Sequence, residues 1–356
     1  MEVVAVFQNF SNDDIASVIN QWLATCLVTT AYHPLLYSRT LFVIGYEPFP
    51  PEEYHLWGFK WLFLPNTIQN LSYIKSVDGF FGLYRGLVPT LLAKSSFFIT
   101  NRVLKDLIPK PRPCLRDIEE FPTACGLKSR TTGFNFLLKG VMREFVIYVG
   151  GIVLSHPFRV VAVRMMAQFV GRETKFSSTC ASLINSYKSE GLMGLYVGLV
   201  PTILGAFISF WSFTVLVSLG QQFKMKYRSI FGLYSDVAKG VAFWLAHPME
   251  VVTNTLVVNN CGLAIGTAPH TEYYPNWISI FHHLYANGQL FRGVRNFGRV
   301  YSGPAVSNNG VTTPAGFHFG PVHSPLPPQL NTDPCKPSEQ ILQLILPARL
   351  ISRGHD

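Results

Sequence analysis

Gly82-Leu83-Tyr84-Arg85-Gly86-Leu87-Val88-Pro89-Thr90 returns almost letter for letter as Gly194-Leu195-Tyr196-Val197-Gly198-Leu199-Val200-Pro201-Thr202. Each copy follows an acidic-Gly pair, Asp78-Gly79 and Glu190-Gly191, and each opens an apolar run. Upstream of each stands a His-Pro pair, His33-Pro34 and His156-Pro157. A third pair, His247-Pro248, precedes a worn copy running from Asn287 through Gly288 to Arg292 and Gly293. The three prolines lie 123 (157 − 34) and 91 (248 − 157) residues apart. Two landmarks in the same order, three times over, define a tandem repeat.

Composition places the repeat in a membrane. Charged residues are 14% of the 356 and hydrophobic residues 48%, against about 25% charged in average soluble domains. The net charge of +9 suits basic loops against anionic lipid better than nucleic acid, because no basic helix with interleaved aromatics is present. The six cysteines are scattered without a Cys-x-x-Cys pair, so neither a disulfide framework nor a metal site is expected. The first 14 residues carry no Lys or Arg and read as neither a secretory signal nor a transit peptide. No Ser/His/Asp or Cys/His constellation and no cofactor motif appears, and bond-making catalysis is not expected. The glycines of the repeated stretch lack the Gly-Lys-Ser/Thr ending of a phosphate loop.

Five runs read as membrane spans, four of them of full length: 15–38, 89–107, 199–219 and 240–266, with the shorter apolar run 145–158 as the fifth. Pro34, Pro157 and Pro248 fall late in the odd-numbered runs and should kink them. Pro89 and Pro201 sit at the starts of the even-numbered ones, where proline is welcome. Between the spans of each repeat lies a shorter stretch, at 52–77, 177–189 and 276–286. The first, aromatic and basic, reads as an interfacial helix or an exposed loop. A sixth span should follow Gly293. Instead, residues 302–356 hold nine prolines among 55 positions, a composition that reads as disordered. The chain therefore divides into repeat one (1–107), a Pro-rich loop (108–134), repeat two (135–223), a truncated repeat three (235–301) and a tail (302–356).

This pattern resembles the mitochondrial solute carrier superfamily. Asp78-Gly79 through Tyr84-Arg85-Gly86 fits the second half of its motif in full, and Glu190-Gly191 through Tyr196 and Gly198 fits except for Val197 in the basic slot. The first half wants an acid two residues after proline and a base five after. Here the acid slots hold Leu36, Arg159 and Glu250, and the base slots Arg39, Ala162 and Thr253. Carriers gate with three acid–base pairs; this chain can form at most one, Arg39 with Glu250.

The stretches Leu41 to Pro51, Gln168 to Phe176 and Val258 to Ala264 are similar to the carrier homologues of the mitochondrial outer membrane. That branch implies an all-α bundle of about five transmembrane helices with the sixth missing, located in the outer membrane or, for an ordinary carrier, the inner one. It also implies insertion of α-helical and tail-anchored clients into lipid, and binding of the apoptosis regulator Bid. On this reading Arg39, Arg164, His247, Glu250 and Asn254 line a polar groove open to lipid. Arg159 and Arg164, near a helix end, read better as headgroup contacts, the histidines as satisfied groups at kinks rather than proton relays, and Asn254 as readily as a helix–helix hydrogen bond. Ala206 stands where relatives carry an acid. Two other readings are a divergent solute carrier, which needs a sixth span, and a paralogue that only binds partners.

Overall fold

The computed structural model describes residues 12–49, 52–56, 59–109, 118–121, 129–132, 134–222, 228–259, 261–267, 271–296, 298–300, 305–308 and 311–314. Its helices are α1 (Asn12–Ile44), α2 (Thr67–Gly82), α3 (Leu87–Leu107), α4 (Phe134–Ala167), α5 (Thr179–Leu195), α6 (Leu199–Gln222), α7 (Arg228–Val258) and α8 (Trp277–Ala286). The chain is an all-α membrane protein of three repeats. The odd members α1, α4 and α7 each carry their proline inside the helix. The short α2, α5 and α8 follow them, and the even members α3 and α6 close the first two repeats.

Three spans, Leu138–Ala167, Leu199–Gly220 and Gly232–Val258, are long and apolar enough on their own to cross a membrane. The other two expected spans have the length, 33 residues in α1 and 21 in α3. Their apolar character is diluted, by Asn20, Gln21 and a series of hydroxyls in α1 and by Lys94, Arg102, Lys105 and Asp106 in α3.

The aromatic stretch from 52 is not helical throughout. Strands β1 (Glu52–Leu56) and β2 (Phe59–Leu64) pair antiparallel with Leu56 opposite Phe59, a hairpin with a two-residue connection. α2 starts only at Thr67, where Asn66 and Gln69 form a capping box. Aromatic residues favour a pleated strand as readily as an interfacial helix, and Pro65 separates the two elements. Two further hairpins, β3 (Ile118–Phe121) with β4 (Ser129–Thr132), and β6 (Ala305–Asn308) with β7 (Val311–Pro314), interrupt the expected loop and tail. The tail beyond 314, with its apolar piece at 341–346, lies outside the described residues.

Where the sixth span is expected, the described chain instead returns to repeat one. Its β5 (Arg299–Val300) adds to the hairpin, with Phe63 opposite Val300. Arg299 forms a buried ion pair with Glu47, its second guanidinium nitrogen 3.0 Å from the carboxylate, and lies 3.6 Å over the Phe42 ring. Burial pushes the Glu47 carboxyl up, and Arg299 opposes that shift. Arg292 donates to the Val43 carbonyl at 2.7 Å and to Thr255 at 2.7 Å; burial lowers its pKa to about 10.

The three His-Pro histidines do one job three times. The His33 ring donates to the Arg85 carbonyl at 3.0 Å, His156 to Val197 at 2.9 Å and His247 to Arg292 at 2.9 Å. Each ring stacks on the aromatic residue just before that carbonyl, Tyr84, Tyr196 or Phe291. The glycine that follows adopts a left-handed backbone, with φ 79° at Gly86, 79° at Gly198 and 72° at Gly293. A Cβ there would meet the Ala162 carbonyl at 3.1 Å, the Thr253 methyl at 3.1 Å or the Val43 side chain at 2.7 Å. Only glycine combines that φ with so close an approach to the next odd helix.

The core sits past the prolines, where the C-terminal ends of α1, α4 and α7 converge. Tyr37, Leu41, Val160, Val161 and Ala167 are fully buried there, with Ile74 of α2. The N-terminal half of α1 is bare: Leu27 and Val28 are 70% and 68% exposed. α3 lies along α4 and α6 along α7, whereas α1 has no equal partner among the described residues.

Candidate functional site: a charged cavity beside an uncovered helix

Five helices, α1, α3, α4, α6 and α7, enclose a cavity of about 740 Å³ above this core. At its floor Arg39 of α1 reaches Glu250 of α7 with both guanidinium nitrogens, at 2.7 and 3.1 Å. His247 joins them. Its Nε2 meets the Arg292 carbonyl, and its Nδ1 lies 3.3 Å from Arg39 and 3.4 Å from Glu250. Phe243 lies 5.0 Å from the Arg39 guanidinium carbon. The acid–base pair available from the sequence thus forms, and it ties the first odd helix to the last.

The other two slot pairs do not form, for the reason visible in the sequence: Leu36 and Ala162 are apolar, and the third scheme would pair Arg159 with the uncharged Thr253. Thr253 instead meets Thr202 at 3.3 Å. Asn254 lines the cavity, is 5% exposed, and its amide oxygen has no hydrogen-bond partner among the described residues. Arg39, His247, Glu250 and Asn254 therefore come together in one cavity.

Arg164 does not join them. It is 1% exposed and turns away into the core, donating to the Val257 carbonyl at 3.1 Å, Ser186 at 3.0 Å and Glu190 at 2.7 Å. The reason lies in the motif. In repeat one Asp78 takes its cation from the basic slot, Arg85 at 2.7 Å. In repeat two that slot is Val197, and Arg164 of α4 supplies the missing charge. Seven residues past Pro157, it is on the buried side of the helix rather than at a headgroup.

Three cations that the groove reading left out do line the cavity, Lys94 of α3, Arg159 of α4 and Lys239 of α7. The signal for Arg159 was present in the sequence, as a base in a slot that wants an acid. Ala206 lines the wall of α6 and brings no charge. The repeat-motif residues Pro34, Gly79, Pro89, Pro157, Gly191, Pro248 and Gly288 lie at kinks, turns and helix starts, and Pro201 lies at the helix start that borders the cavity.

The uncovered flank lies where α1 meets α7. Phe243 both lines the cavity and is 48% exposed, and Trp244 beside it is 50% exposed. The arrangement can hold polar groups within reach of an apolar surface that ends in lipid.

Residues 131–227 match the family model described as Mitochondrial carrier protein. The chain is 32% identical over 304 residues to Mitochondrial carrier homolog 1 of Mus musculus, covering 78% of this chain and 75% of that protein. It is 31% identical over 286 residues to Mitochondrial carrier homolog 2 of Homo sapiens, covering 78% and 93%. ADP/ATP translocase 4 of Mus musculus matches at 27% over 135 residues, 37% of this chain and 36% of that protein. The likeness to the two homologs runs across nearly four-fifths of the chain, whereas the translocase match covers little more than a third. With its three repeats, its surviving Arg39–Glu250 pair and its uncovered α1, the chain belongs to the mitochondrial carrier protein family, in the branch of the carrier homologs.

Proposed function

We propose that this protein inserts α-helical and tail-anchored proteins into the mitochondrial outer membrane, or holds them there, through the cavity beside α1. One observation supports the reading above the others: a polar cavity with Arg39, Glu250, His247 and Asn254 borders α1, along which no described helix packs as closely as α3 packs along α4. A client's polar flank costs several kcal/mol per unsatisfied or charged group in hydrocarbon. A wall of polar side chains next to lipid lowers that barrier, while the client's apolar span slides along α1. The final state, with the span in lipid, is downhill, and no nucleotide is required. Clients of this kind include apoptosis regulators, and Bid is a partner of the same reading.

Purified full-length protein in liposomes should accelerate insertion of a tail-anchored client without ATP. Arg39→Glu should slow it, and the exchange Arg39→Glu with Glu250→Arg should restore it. Insertion no faster than in empty liposomes refutes the reading, and saturable uptake of a small metabolite would replace it with a solute carrier. Protease protection in intact mitochondria tests the outer membrane against the inner one.

A further inference from the structure

The charges of the cavity do not balance. Its lining holds a single carboxylate, Glu250, and four cations, Arg39, Lys94, Arg159 and Lys239. Glu250 is taken by Arg39 at 2.7 Å and Lys239 by Asp236 at 2.9 Å. Lys94 and Arg159 are left without a carboxylate within 4.0 Å among the described residues. They stand on neighbouring helices, α3 and α4, and line the same cavity. α6 cannot compensate, because residues 199–219 contain no charge. Below them the floor is the sealed core, and beside them the aromatic rings of Phe97, Tyr148 and Phe243 line the cavity.

Two like charges held on adjacent walls of one cavity, whose one carboxylate is already paired with Arg39, attract an anion and repel a cation. We infer that Lys94 and Arg159 make the cavity select polypeptide clients by the charge of the segment that must cross, favouring an acidic tail. This inference rests on the insertion reading and deepens it by naming the client chemistry. A tail of aspartates or glutamates, with its terminal carboxylate, supplies the missing counter-charge midway across. A tail of lysines meets two cations and no free acid. The aromatic rings accommodate the apolar span that follows.

The test uses three clients with one apolar span and C-terminal tails of Asp, Asn or Lys, presented to the full chain in uncharged phosphatidylcholine liposomes. The Asp tail should insert about tenfold faster than the Lys tail after subtraction of empty liposomes, the ratio expected of one partly desolvated charge contact. Lys94→Gln with Arg159→Gln should bring the ratio to about one, and Arg159→Glu should reverse its direction. Lys94→Arg with Arg159→Lys keeps both charges and should keep the ratio, which separates charge from folding. In parallel, a photo-crosslinker on each tail reports contact with the purified protein in detergent. Acceleration independent of tail charge overturns this inference and leaves the insertion reading standing. Charge-selective crosslinking that depends on Lys94 and Arg159, without acceleration, overturns the insertion reading and leaves the selective site standing. Neither selectivity nor acceleration overturns both. Restoration of equal rates by a soluble anionic lipid analogue, with no tail crosslink to the cavity, assigns the two cations to lipid and also overturns the inference.

Discussion

Replacing Arg164 separates its two possible roles, because the structure gives it a place that the groove reading did not. In Arg164→Leu the side-chain volume is roughly kept and the charge is lost. The Val257 carbonyl then loses a donor at 3.1 Å and Ser186 a partner at 3.0 Å. A buried acceptor left without a partner costs about 1–2 kcal/mol. Glu190 loses the cation 2.7 Å away, with a quarter of its own side chain still reaching solvent. Removing one partner of a fully buried pair costs about 3–5 kcal/mol, and this exposure reduces that to about 2. The sum is about 3 kcal/mol, a lowering of Tm by about 4 °C for a chain of this length. Adding Val197→Arg places a base in the slot that Arg85 fills in repeat one and should recover about half of the loss by the same reasoning. The assay is thermal unfolding of the detergent-solubilised protein, read alongside insertion per folded molecule. A variant that melts with the wild type but no longer inserts clients would refute the reasoning and return Arg164 to the groove.

Two other outcomes follow from contacts described above. Gly198→Ala sets a Cβ 3.1 Å from the Thr253 methyl on a backbone at φ 79°, and should cost about 2 kcal/mol, read as a lowered melting temperature; an unchanged Tm removes the close-approach explanation of the repeated glycine. Arg299→Leu leaves Glu47 buried without its cation and should release β5 from β2, so that limited proteolysis cuts after Gly293 at least several-fold faster; unchanged cleavage shows that the strand is held by other contacts.

The repeat was legible because one physical contact recurs three times. A histidine beside a helix-internal proline, a carbonyl it can reach, and a glycine that lets the chain turn beneath the next helix fix both the residue types and their order. The Arg39–Glu250 pair was legible for the same reason, being the last occupied slot of a repeating scheme. Arg164 was not, because its partner lies 26 residues away and is explained only by the loss of a base at Val197. The hairpin before α2 was hidden by composition, since Trp61, Phe63 and Lys60 satisfy an interfacial helix as well as a strand. The return of β5 to repeat one was hidden by distance: Glu47 and Arg299 are 252 residues apart, and neither residue announces the other.

The described residues hold no sixth spanning helix, yet they still join repeat three to repeat one. Gly293 packs against α1 at the level of Val43 and Arg39, Arg292 binds the Val43 carbonyl, and His247 holds Arg292 from α7. Repeat three thus docks on repeat one through the same contact that joins one to two and two to three. The Glu47–Arg299 pair and β5 reinforce the junction beneath. The uncovered stretch is therefore the N-terminal part of α1, where Leu23, Leu27 and Val28 face outward, and the cavity is a cup with a closed floor and one low side. A solute carrier must open that floor in turn, which in this fold means parting Arg39 from Glu250 while the buried residues beneath it separate. A protein that passes a client sideways along α1 into lipid leaves the floor intact. The contacts that have survived are those of the floor, and the contacts that are missing are those of the side, which is the distribution that sideways release requires.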